Sequence, residues 1–68
     1  MDKVVMRAFE KLQKREHHLR MARERMALGH TTRVMFRKEE AAIIETFKLT
    51  DEEQRAYETH IKKNRMSN

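Results

Sequence analysis

Cysteine and proline are both absent from this chain of 68 residues, and glycine occurs once. Without cysteine there is no disulfide, no thiolate nucleophile and no thiolate zinc ligand. Without proline, and with a single glycine, the usual interruptions of a helix are missing, so helix is the default along most of the length. Large apolar residues are scarce too: Leu, Ile, Val and Phe together make 13 positions and Trp none. That is just under the roughly one-fifth below which a highly charged chain tends to stay unfolded. Six Met residues supplement the supply loosely. A chain of this size buries only about 60% of the surface it exposes when unfolded. Such a core predicts reinforcement from outside, as a homodimer or a chain that is ordered on binding its partner. No apolar run approaches the roughly 18 residues of a membrane span, and no signal-peptide core is visible. Asp2 in second position and Met66-Ser67-Asn68 at the end match no lipidation motif. These absences lead to the expectation of a cytoplasmic protein that does not engage a membrane.

What is abundant is charge. The excess is +5, unevenly spread. Residues 1–38 hold eleven Lys and Arg against four acids, whereas residues 39–68 hold five against seven. The two halves are electrostatically different surfaces.

Gly29 follows Met26-Ala27-Leu28 as a helix-terminating glycine does, closing a helix that starts near Asp2. Thr31 or Thr32 offers the next N-cap, and Thr50-Asp51-Glu52-Glu53 reads as a capping box that opens a third helix. The fold class expected is all-α. It consists of a small helical hairpin or three-helix cluster with one long N-terminal helix at about 2–28 and helices at about 32–48 and 51–64, in one domain with a disordered tail at 65–68. Thr32–Phe36 admits an alternative as a short extended segment, because Arg33 and Met35 alternate with Val34 and Phe36.

At 100° per residue, Met1, Val5, Ala8, Leu12, Leu19, Ala22 and Met26 fall on one seam of the first helix, nearly a coiled-coil one. Arg15 takes the heptad slot of that seam that is not apolar. The second helix turns Phe36, Ile43, Ile44 and Phe47 inward with Glu40 among them, and the third uses Ala56, Tyr57, His60 and Ile61. Arg15 and Glu40 are predicted to pair, with Glu16 competing for the arginine.

Catalysis finds little to work with. The one Ser is Ser67 in the expected tail, a glycine-rich phosphate loop is ruled out by the glycine count, and the carboxylates lie in charge runs, not in a dry pocket. His17 and His18 point about 100° apart on a helix, His30 sits in a turn, and His60 reads as a packed histidine. Neither a metal nor a cofactor is predicted, and the chain is expected not to be an enzyme.

The informative feature is a second sector of the first helix, roughly 80° wide, that holds Lys3, Arg7, Lys11, Lys14, His18 and Arg25 and no acid. Phosphate binding asks for cations on one side without carboxylates between them. The plain alternative is a solvated face of a basic helix. Glu39, Glu45, Asp51, Glu52, Glu53 and Glu58 form a matching acidic group in the second and third helices, either solvated or able to meet a basic partner. A helix-turn-helix reading fails because it pushes Asp51, Glu52 and Glu53 at phosphates. The expectation is therefore a binding or regulatory protein whose basic helix face meets nucleic acid or a nucleoprotein complex. The alternatives are a small protein-protein inhibitor or adaptor, of the size and composition of phage or mobile-element inhibitors, and a helical subunit of a larger assembly.

Overall fold

The computed structural model describes residues 2–66, with the side chain of Met66 left aside. It contains three helices in chain order: α1 (Lys3–Ala27), α2 (Arg33–Thr46) and α3 (Asp51–Met66). The all-α expectation holds, and each boundary is set by a local device. Asp2 caps α1, its carboxylate accepting from the Val4 amide at 3.1 Å. At the other end Gly29 adopts φ 76°. It donates to the Met26 carbonyl while His30 donates to Arg25, which completes a Schellman motif. Thr32 caps α2 by accepting from the Met35 amide at 3.2 Å. Residues 33–36 are helical, so the extended alternative there is not realised.

The α3 capping box is complete. Thr50 Oγ1 accepts from the Glu53 amide at 3.1 Å, and Glu53 Oε1 accepts from the Thr50 amide at 2.8 Å. Acids fill its first turn, and Lys63 and Arg65 its last, both favourable to the helix dipole. The helix runs through Met66, two residues past its expected end, which makes Arg65 and Met66 helical. Ser67 and Asn68, the rest of the expected tail, and Met1 of the seam lie outside the described residues.

The chain reverses at residues 28–32, and α2 and then α3 run back along α1. Three contacts mark the path away from the turn in step: Arg25 with Glu39, His18 with Phe47 and Lys11 with Glu53. Both α2 and α3 pack on α1, and among the described residues they do not touch each other. The fold is thus the hairpin and not the three-helix cluster, with a second arm broken at residues 47–50.

Its dimensions, 44 × 25 × 15 Å, are those of two helices side by side and one helix deep. The radius of gyration is 15.1 Å, against about 11 Å for a compact domain of this length. Accessible surface is 5732 Å², against about 4600 Å² expected for the mass. A single contact seam explains both. Val5, Ala8 and Ala22 are buried, with Leu12, Arg15, Leu19 and Met26 half-buried along the same line. In α2, Phe36, Ile43 and Phe47 face the seam, but Ile44, expected inward, is 45% exposed. It lies 100° from Ile43, and α2 has only one neighbour to bury a stripe against. Ala56, Tyr57, His60 and Ile61 are half-buried as expected. Phe9 meets Tyr57 edge-on at a centroid distance of 5.3 Å and His60 at 5.7 Å.

Candidate nucleic-acid interface

The structure divides the basic sector of α1 in two. Lys11, His18 and Arg25, seven residues apart, border the seam and are engaged by the second arm. Lys11 Nζ donates to Glu53 Oε1 at 2.6 Å and to the Lys48 carbonyl at 3.3 Å. The imidazole of His18 stacks on Phe47 with centroids 5.2 Å apart, and Arg25 pairs with Glu39. Lys3, Arg7 and Lys14 lie further round, exposed and without an ion pair among the described residues. Glu10 belongs beside them: with Arg7, Lys11, Lys14, Thr46 and Phe47 it lines an open depression of about 310 Å³. The carboxylate-free sector therefore has an acid on its border.

Among the described residues Glu53 is the one buried charged residue, 4% exposed. The Lys11 ammonium, and after it the Thr50 amide, hold its carboxyl below the ordinary carboxylate range despite the opposing effect of burial. It ties the start of α3 to the middle of α1. The remaining acids separate into two kinds. Glu39 is half-buried against Arg25, while Glu45, Asp51, Glu52 and Glu58 are exposed, Glu58 accepting from the Gln54 side chain at 2.8 Å. The acidic half is thus partly spent on holding the second arm in place.

Arg15 and Glu40 do not pair. Both are half-buried, and neither makes an ion pair or hydrogen bond within the described residues. Glu16 engages Arg23 at 3.5 Å instead. The register explains the miss: with Arg25 beside Glu39 and Lys11 beside Glu53, Arg15 stands opposite the break between α2 and α3. The polar contact within the seam comes from Lys11 and Glu53.

No group of three His, Cys, Asp or Glu is placed to hold a metal among the described residues. The larger depressions, about 380 and 480 Å³, are open surfaces. One is lined by Phe9, Leu12, Gln13, Glu16, His17, Arg20 and Tyr57, the other by residues of the α1 start and of α3. No described helix is long and apolar enough to cross a membrane.

Cations outside the sector were not singled out by the periodicity of α1. Arg20, Arg33, Arg37 and Lys38 are exposed with no partner among the described residues. The signal for them was charge in a window: residues 20–38 carry six basic side chains and one acid, equal to the whole +5 excess. The same end of the hairpin exposes Leu28 by 70%, Val34 by 63% and Met35 by 57%. Compared with protein-family models, with curated proteins and with solved structures, the chain matches none.

Proposed function

We propose that this protein is a non-enzymatic binding or regulatory protein of the cytoplasm whose basic surface holds nucleic acid or a nucleoprotein complex. The observation that carries the reading is that Lys3, Arg7 and Lys14 of the basic sector stay exposed and without an ion pair among the described residues, in a chain with an excess of +5. Each of the ion pairs Lys11–Glu53, Arg23–Glu16 and Arg25–Glu39 takes up one cation and one carboxylate. The +5 therefore remains, on exposed side chains that include Lys3, Arg7 and Lys14. Such an excess raises the local concentration of polyanions and gains free energy by releasing their counterions. Within the basic sector, Lys3, Arg7 and Lys14 are the members available to phosphates, with Lys11, His18 and Arg25 supporting from the seam. The test is fluorescence anisotropy with labelled duplex DNA across a salt series. The expected result is binding at about 50 mM salt that weakens steeply, with a log-log slope near −0.9 per phosphate neutralised. An unbound duplex at that salt sinks the reading.

A second reading, a small protein-protein adaptor or inhibitor, is favoured by the exposed Leu28, Val34 and Met35, which nucleic-acid phosphates do not cover. The thin seam also fits self-association as a homodimer or ordering on a partner. Sedimentation of the purified chain across a hundredfold concentration range separates these, a dimer showing a concentration-dependent mass.

A further inference from the structure

The pairing of Arg25 with Glu39 fixes which flank of α1 adjoins which flank of α2. Around α1, Arg20 and Arg23 lie about 140° and 160° from Arg25, and around α2, Arg33 and Arg37 lie about 120° and 160° from Glu39. Because the helices are antiparallel, all four turn to the flank opposite the Arg25–Glu39 pair, and so opposite the basic sector read from the sequence. Their order along the hairpin follows from the register. Arg25 level with Glu39 puts Arg37 near the last turn of α1 and Arg33 beyond its end. The sequence along the axis is Arg20, Arg23, Arg37, Arg33, at intervals of about 4.5–6 Å and over about 16 Å in all.

The four are exposed. Arg20, Arg33 and Arg37 have no partner among the described residues, and Arg23 meets Glu16 at 3.5 Å with both side chains about half exposed. Glu40 is half-buried on the same flank, and Glu24, one turn beyond Arg20 on α1, is exposed at its border. A guanidinium presents a planar fork that takes two oxygens of one phosphate, which a lysine ammonium cannot do. A row whose cations are all arginine, drawn from two helices and held by a Schellman turn between them, has the chemistry to hold phosphates in this way. Phe9, Phe36, Phe47 and Tyr57 are all half-buried, and Phe9 and Tyr57 are packed on each other. Among the described residues the edge thus has no exposed Phe or Tyr ring on which unpaired bases could stack, as single-strand binders require, and the exposed ring beside it is the imidazole of His17, near Arg20.

We infer that the flank formed by Arg20, Arg23, Arg33 and Arg37 is the principal contact surface for a duplex nucleic-acid backbone, with Lys3, Arg7 and Lys14 on the opposite flank contributing less. This inference rests on the nucleic-acid reading above and goes further by naming the edge and the form of the ligand. Sequence preference is slight as long as the guanidinium groups engage phosphates, which carry no sequence information.

The experiment compares the full chain with R20A/R33A/R37A, R20K/R33K/R37K and K3A/R7A/K14A in salt-series anisotropy, with a mixed-sequence duplex of about 20 base pairs and its single strand as probes. Circular dichroism checks that helicity is kept, as the exposed positions predict. The flank alanine variant loses at least about tenfold in duplex affinity, and its salt slope falls by about 2 to 3. The lysine variant keeps the slope, and the opposite-flank variant loses less than about threefold. Tighter binding of the single strand, or a larger loss from K3A/R7A/K14A than from the flank variant, overturns the assignment while nucleic-acid binding stands. No binding by the wild-type chain to either probe overturns both.

Discussion

Ala8 and Ala22 have no exposed surface at all, two small residues closed over in the seam between the arms. Ala22 lies in the half of α1 covered by α2, Ala8 in the half covered by α3. Replacing Ala22 with Leu adds three carbons where there is no room. Were the site roomy, those carbons would contribute about 0.8 kcal/mol each on burial. In a closed site they displace α2 instead, and overpacking of this kind costs about 1–3 kcal/mol. A domain of 68 residues has a total stability of about 3–10 kcal/mol, so the substitution removes a substantial share. At about 4–8 °C per kcal/mol for a domain this small, the midpoint should fall by about 5–20 °C. Thermal unfolding followed at 222 nm reads the loss. Tyr57 is the one tyrosine, there is no tryptophan, and Tyr57 sits on Phe9 in the α3 half. Its fluorescence should therefore follow α3 docking separately from α2. A midpoint for Ala22→Leu within about 2 °C of wild type, well below the shift of even 1 kcal/mol, refutes the close approach of α1 and α2.

Other perturbations test the remaining devices. Glu53 has its folded pKa depressed, so its contribution is fully present above the ordinary carboxylate range and is lost as pH falls through the folded value. Urea midpoints measured from neutral to acid pH should fall for wild type and fall less for Glu53→Gln; parallel curves exclude the Lys11–Glu53 linkage. Thr50→Ala removes the hydroxyl that accepts from the Glu53 amide and should cost about 1 kcal/mol in urea unfolding. Gly29→Ala meets no atom within 4 Å, so its expected cost of about 1 kcal/mol comes from the backbone at φ 76° alone, and an unchanged stability shows that the Schellman turn is not held.

Legibility in the sequence followed the range of the forces involved. Caps and turns depend on neighbours within four residues, so Gly29 and Thr50 could be read directly, Thr32 as one of two candidate caps, and Asp2 as the place where α1 starts. The α1 seam was legible because periodicity repeats it over seven turns. The fate of the basic sector was not, because it depends on what lies opposite. The clue was present in the seven-residue spacing of Lys11, His18 and Arg25, the spacing of positions flanking a coiled-coil seam, which commonly pair across to acids on the other helix. Reading the sector as one face merged those three with Lys3, Arg7 and Lys14, which stand further out. The Arg15–Glu40 expectation failed for a related reason: two polar residues in apolar stripes were matched by type, while the turn at Gly29 had already set a register that keeps them apart. The flank of Arg20, Arg23, Arg33 and Arg37 was invisible to single-helix wheels because half of it belongs to each arm.

The independence of α2 and α3 shapes how the molecule opens. Arg25 and Glu39 are 14 positions apart in the chain, and Lys11 and Glu53 are 42 apart. Closing the longer loop directly costs about 1 kcal/mol more in chain entropy than closing the shorter one. Once α2 is seated beside α1, however, only the four residues 47–50 separate α3 from its place. The hairpin therefore behaves as a zipper with a fixed end at Gly29 and a free end at Asp2. Docked α2 delivers α3 to its place on α1, and α3 can peel away without disturbing the packing of α2 on α1. Each such opening uncovers Val5 and Ala8 and releases Lys11 from Glu53, so the loose end of the zipper is also the end where new cations and new apolar surface come into play.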